Sequence, residues 1–109
     1  MTPFEVRESL AYLRDLERIE THLLHMSGNP SGAERRISEM RAATGRLAEF
    51  PRLAPERPDL GDGIRMLTTG EKSVALYVVQ DVAGIVLMLR AFYGGDDYDA
   101  LMRAGNDNT

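Results

Sequence analysis

The run Ile85 to Phe92, IVLMLRAF, constrains the fold more than any other part of the chain. Read as a strand, it places Val86, Met88 and Phe92 on one face and Ile85, Leu87 and Leu89 on the other, because successive side chains point to opposite sides. A strand apolar on both faces belongs at the centre of a sheet, covered on each side. Two shorter runs of strand composition precede it, Ile64–Thr68 and Ser73–Val79, broken by TTGEK and QDVAG. Short connections that carry glycine or Asp suit hairpins, so the three runs predict an antiparallel meander.

Upstream, Phe4-Glu5-Val6-Arg7-Glu8 alternates apolar and charged residues, as a half-covered short strand does. Ser9 fits a helix N-cap. Leu10, Leu13, Leu16, Ile19, Leu23 and Met26 then recur at three- and four-residue steps, predicting a helix that Gly28-Asn29-Pro30 stops. Ser31 and Glu34 have the spacing of a capping box and mark the start of a second helix, with Pro51 as its end. Its apolar face is Ala33, Ile37, Met40, Thr44 and Leu47, while Arg35, Arg36, Glu39, Arg41 and Arg46 form a solvated charged face. So short a connection predicts an antiparallel helix hairpin. Residues 51–63 hold three prolines and two glycines and read as a loop. A short helix is expected over about residues 97–103, with a frayed tail at 105–109.

The predicted order is β-α-α-β-β-β-α: an α+β domain over residues 1–104, with a helix hairpin on a four-stranded, mainly antiparallel sheet. A hairpin covers only one face of such a sheet. The apolar second face of the Ile85–Phe92 run is therefore expected to be covered by a partner.

Composition narrows the function classes. With no cysteine, disulfides and thiolate metal sites are excluded. A net charge of −4 argues against binding nucleic acid through the overall field, and no sequence-specific contact with nucleic acid by this chain is expected. Of the 13 basic residues, only Lys72 is a lysine. No signal peptide and no membrane-length apolar run is visible, which makes the cytoplasm the expected location. His22 and His25 read as helix surface and Gly94-Gly95-Asp96-Asp97 as a strand-to-helix turn, so neither a metal nor a cofactor is expected.

Several motifs fall in a fixed order: Ser9, then Asp15-Leu16-Glu17-Arg18-Ile19; Ala33, then Leu47-Ala48-Glu49-Phe50-Pro51; Gly63-Ile64-Arg65; Tyr77; and Met88-Leu89-Arg90-Ala91-Phe92-Tyr93-Gly94 followed by Asp97. In this order the chain resembles the ParE-type toxins of the RelE/ParE superfamily, the toxic half of bacterial type II toxin–antitoxin pairs. Tyr93 stands at the family's usual histidine position and Asp96 at that of a frequent arginine.

The resemblance implies a toxin that binds and inhibits DNA gyrase, without catalytic residues, in a hetero-oligomer with a ParD-like antitoxin. That antitoxin would carry a ribbon-helix-helix DNA-binding domain and wrap the toxin with its C-terminal segment. Candidates for antitoxin contact are Leu16, Ile19, Leu23, Leu24, Ile37, Met40, Val86 and Met88. Arg65, Tyr77, Arg90 and Tyr93 are candidates for polar contacts with target or antitoxin. Arg65 and Arg90 have a second reading, as bridges to acids within the fold such as Asp15 or Glu17.

One alternative is the RelE branch, which cuts ribosome-bound mRNA with basic groups on the sheet and a tyrosine in the terminal helix. Here Gly94-Gly95 and Ala100 or Leu101 fall where an arginine and that tyrosine would stand, and Lys72 lies in an expected turn. A non-toxic descendant that keeps only partner binding is the other alternative.

Overall fold

A computed structural model describes residues 2–94. Strand β1 (Glu5–Glu8) leads into helix α1 (Leu10–Ser27) and helix α2 (Pro30–Gly45), which a 3₁₀ turn, Arg46–Ala48, extends. Strands β2 (Arg65–Thr68), β3 (Ser73–Gln80) and β4 (Ile85–Tyr93) follow. The sheet order is β1-β4-β3-β2, with β2–β3 and β3–β4 antiparallel and β1 parallel to β4. The expected α+β architecture is present, and β4 is central. The helix expected at 97–103 and the tail at 105–109 lie outside the described residues.

Local chemistry sets the helix ends. The Ser9 hydroxyl accepts the Tyr12 N–H at 3.1 Å and caps α1. Gly28, at φ 62°, closes the helix by donating its N–H to the Leu24 carbonyl at 2.8 Å. The expected capping box at Ser31 and Glu34 is corrected. Helix α2 starts one residue earlier, at Pro30, and its N-cap Asn29 makes no side-chain cap bond. Proline has no N–H to satisfy and a fixed φ suited to the first helical position, so it nucleates the turn that the serine pattern suggested. The helix also ends at Gly45, before Pro51 is reached.

The hairpin packs on one sheet face. Its core joins Tyr12, Leu16, Ile19 and Leu23 of α1 and Ala33, Ile37 and Met40 of α2 to Ala75, Tyr77, Val86, Met88 and Ala91 of the sheet. The predicted α1 stripe holds in the middle but not at its ends: Leu10 and Met26 are 61% and 75% exposed. Buried instead are Tyr12 and Asp15.

A bulge in β4 corrects the face assignment of that strand. Leu76 pairs with Arg90 and the next residue, Tyr77, with Met88, so Leu89 is an extra residue in the ladder. An inserted residue reverses the alternation that follows it. Phe92 therefore lies on the face opposite Val86 and Met88, with Leu76 and Ile64.

That outer face is not left to a partner, as expected from the sequence. The proline-rich segment folds back over it, and Leu60, Met66 and Ile64 pack with Leu76 and Phe92, both fully buried. The same segment follows the edge of β2: the Arg57 N–H donates to the Ile64 carbonyl at 2.7 Å and the Met66 N–H to the Pro55 carbonyl at 3.2 Å.

A candidate binding cleft around Tyr93

The carboxylate of Asp15 is the fixed point of the α1–β4 contact. It accepts from Arg90 Nε at 2.7 Å and Nη2 at 3.0 Å, and from the Ala91 N–H at 2.9 Å. Past Glu8, where β1 ends, α1 itself closes the β4 edge. The Ser9 hydroxyl donates to the Leu89 carbonyl at 3.1 Å, and Arg18 Nη2 donates to the Ala91 carbonyl at 3.3 Å. Arg90 thus takes the second reading of its role, a bridge to Asp15 within the fold.

Arg65 and Tyr77 are also used internally. Arg65 Nη1 donates to the Ala54 carbonyl at 2.7 Å, and Nη2 lies 3.6 Å from Glu56. The Tyr77 hydroxyl accepts the Ala54 N–H at 3.2 Å. Together they pin the start of the proline-rich segment to β2 and β3. Burial pushes the Tyr77 phenol above its ordinary value, against the opposing effect of that N–H and of Arg65. Tyr12 is pushed the same way by its own burial.

Of the apolar candidates for antitoxin contact, Leu16, Ile19, Leu23, Ile37, Met40, Val86 and Met88 are all buried between hairpin and sheet. The chain covers them itself, as part of its core. Only Leu24 is open to solvent, at 36% exposure.

Tyr93 is the one polar candidate at an accessible position, and it stands where three elements meet. Its hydroxyl accepts from Arg36 Nη1 of α2 at 3.4 Å, and its ring lies 6.1 Å from the His22 ring of α1, tilted by 57°. The β2–β3 turn is held alongside, because the Gly94 N–H donates to the Lys72 carbonyl at 2.7 Å. A cleft of about 400 Å³ opens here, with Arg18 and Lys72 as its cations, His22 in its wall and Ile19, Leu23 and Met26 as its apolar lining. A second cavity of about 290 Å³ shares Leu23, Met26 and Tyr93 and adds Arg35 and Arg36.

Among the described residues, the linings of these two cavities hold no acidic side chain. Glu71 lines a neighbouring open cavity that shares Lys72 and Gly94, and with Glu39 it lines a narrow recess that shares Lys72 and Tyr93. Cations over an apolar floor bind anionic, partly apolar ligands. No cluster of three His, Asp or Glu that could hold a metal occurs among the described residues. Nor is any described helix long and apolar enough to cross a membrane.

Sequence reasoning placed Tyr93 as a contact residue but passed over His22 as surface and Lys72 as a turn residue. Arg18 and His22 lie one helical turn apart, beside the apolar stripe, and that spacing was the available signal. Which end of the sheet the turn of Lys72 would meet was not readable, because it depends on the strand order.

Comparison with known proteins agrees with this architecture. No curated protein sequence matches the chain significantly. Its fold is similar to that of a toxin–antitoxin chain in the chromosomal ParDE system from P. aeruginosa, with a TM-score of 0.72 and 20% identity over 84% of this chain and 96% of that one. It is also similar to a chain of the RelBE2 toxin–antitoxin complex from Mycobacterium tuberculosis, with a TM-score of 0.59 and 24% identity over 88% of this chain and 97% of that one. The family model described as the ParE toxin of the type II toxin–antitoxin system, parDE, matches residues 6–98. The chain therefore belongs to the ParE toxin family of type II toxin–antitoxin systems.

Proposed function

We propose that this chain is a toxin that acts by binding, as a ParE-like inhibitor of DNA gyrase in the cytoplasm, and that a ParD-like antitoxin with a ribbon-helix-helix domain neutralises it. The observation that carries the binding mode is the employment of the sheet's polar groups. Arg65 is bonded to the Ala54 carbonyl, Tyr77 to the Ala54 N–H and Arg90 to Asp15. General acid–base chemistry on a phosphodiester needs groups free to reach the reacting atoms, and these three hold the fold together instead. Induced expression is expected to give filamentous cells with an SOS response, and purified toxin to inhibit supercoiling by gyrase in vitro. Rapid translation arrest with cleaved mRNA and an unaffected gyrase would sink the proposal.

One observation favours a second reading, the RelE-like mRNA endonuclease: the cationic cleft with Tyr93 at its wall. Under that reading Lys72→Ala abolishes mRNA cleavage in cells. Harmless expression, with neither phenotype, would favour a non-toxic descendant.

A further inference from the structure

Among the described residues the sheet ends in two edge strands, β1 and β2, and they are guarded in different ways. β1 carries Glu5, Arg7 and Glu8, the Phe4 N–H at its start donates to the Ala48 carbonyl at 2.8 Å, and Arg41 of α2 pairs with Glu8 at 3.3 Å. Charges and a covering helix make such an edge a poor template for another strand. β2, Arg65-Met66-Leu67-Thr68, has no acid and no proline, and the proline-rich segment covers it.

That segment is a clasp around the edge. Ala54 lies in the core on the hairpin side, with Leu67 and Tyr77. Residues 55–57 then run antiparallel to β2 through the pairing of Glu56 with Arg65, and Leu60 reaches the outer cluster of Ile64, Leu76 and Phe92. Its hold is shallow, since Ala54 alone among residues 51–63 is buried. The latch is at Ala54 itself, whose N–H donates to the Tyr77 hydroxyl at 3.2 Å and whose carbonyl accepts from Arg65 Nη1 at 2.7 Å. A segment with so little burial opens at lower free energy than the packed core does.

On β2 the clasp satisfies an acceptor and a donor, the Ile64 carbonyl and the Met66 N–H. A second β2 running antiparallel answers both. Centred on Met66, each Met66 N–H meets the other copy's Met66 carbonyl, and each Thr68 N–H the other copy's Ile64 carbonyl. Arg65 then lies opposite Leu67, so no like charges meet.

We propose that the β2 edge is a latent interface for a second copy of this chain, and that the clasp competes with that copy for it. Closed, the clasp keeps the chain monomeric. Pro55 and Pro58 have no N–H, which keeps the clasp from templating a further strand of its own. Open, it yields the edge, and two four-stranded sheets become continuous through β2. The pairing does not depend on what the chain acts on.

The chain has no cysteine, so an introduced pair reports on the clasp alone. Glu56 and Arg65 face each other across the ladder between its two hydrogen bonds, a spacing that suits a disulfide. Glu56→Cys with Arg65→Cys locks the clasp when oxidised and, without the Arg65 bond, frees it when reduced. In the reduced chain the Arg57 and Met66 amides are expected to exchange with deuterium about tenfold faster than in the native one. Sedimentation is expected to show its mass rising towards the dimer with concentration, while the oxidised chain stays monomeric. Met66→Pro added to the reduced chain removes the central N–H of the pairing and is expected to abolish the dimer with the clasp still open.

An open clasp on a chain that remains monomeric overturns the inference, as does an oxidised chain that dimerises equally or a dimer that survives Met66→Pro. So does a reduced chain whose Arg57 and Met66 amides exchange no faster than that of Met88 in the core, since the clasp is then not a separable cover. Circular dichroism checks that each variant folds. Tyr77→Phe weakens the latch without touching β2 and carries the same test if the cysteine pair does not fold: open and dimeric supports the pairing, open and monomeric overturns it.

Discussion

Asp15 holds Arg90 through two hydrogen bonds and accepts the Ala91 N–H as well, at a site where its side chain is only 6% exposed. Asp15→Ala leaves a guanidinium and a backbone donor without that acceptor, and a loss of about 3 kcal/mol in denaturant unfolding is expected. Tyr12 offers the opposite case. Its buried hydroxyl makes no hydrogen bond among the described residues, although Thr44, whose own hydroxyl donates to the Arg41 carbonyl at 3.1 Å, lies beside it. Tyr12→Phe removes an unpaired polar group and is expected to be neutral or stabilising, by at most about 1 kcal/mol.

The same burial gives the chain an alkaline limit. Tyr12 and Tyr77 both ionise above the ordinary tyrosine range when folded, so above about pH 10 the unfolded chain releases protons that the native one keeps. Stability is then fully present below that pH and is lost as pH rises through the folded values. Equilibrium unfolding measured against pH is expected to show this fall, reduced in Tyr12→Phe.

At the scale of elements, the bulge at Leu89 decides which residues the two cores receive. Deleting Leu89 restores strict alternation and drives Phe92 towards the hairpin, where Ala91 now fits, so loss of the cooperative transition in circular dichroism is expected. Residue periodicity could not show this, because a bulge is fixed by the partner strand and has no signature in a single apolar run. The helices were legible in their middle turns, where Leu16, Ile19, Ile37 and Met40 keep the spacing, and misread at the exposed end residues Leu10 and Met26 of α1 and at the start of α2, set by Pro30. The proline-rich segment was legible only as a loop. Its role as cover for the outer face comes from Leu60 and Ile64, too far apart in type and spacing to register as a core pattern. Arg65→Ala should release this segment from β2, raising its cleavage by limited proteolysis while the sheet keeps its circular dichroism signal.

At the scale of the molecule, covering both sheet faces makes the isolated chain a complete folding unit. The purified chain without a partner is expected to unfold in one cooperative thermal transition, read by circular dichroism and calorimetry together. The sequence showed a strand needing two covers but not where the second would come from, which is why a partner was expected and a loop was found. The candidate cleft was legible at Tyr93 and at Ile19 and Leu23, but not at Arg18, His22 and Lys72, which tertiary structure alone brings to them.

The parallel pairing of β1 with β4 has a consequence in time. β1 is made first, yet its register partners, Ile85 to Met88, are among the last described residues to be made. The hydrogen bond from Ser9 to Leu89 alone spans 80 residues. At about 5–20 residues per second, synthesis separates the two by roughly 4–16 s. During that interval the nascent chain can form its helix hairpin from local contacts, but it has no sheet for the hairpin to rest on. The finished fold is thus delayed until β4 has been made, a built-in lag during which the emerging hairpin is open to whatever partner is already in the cell.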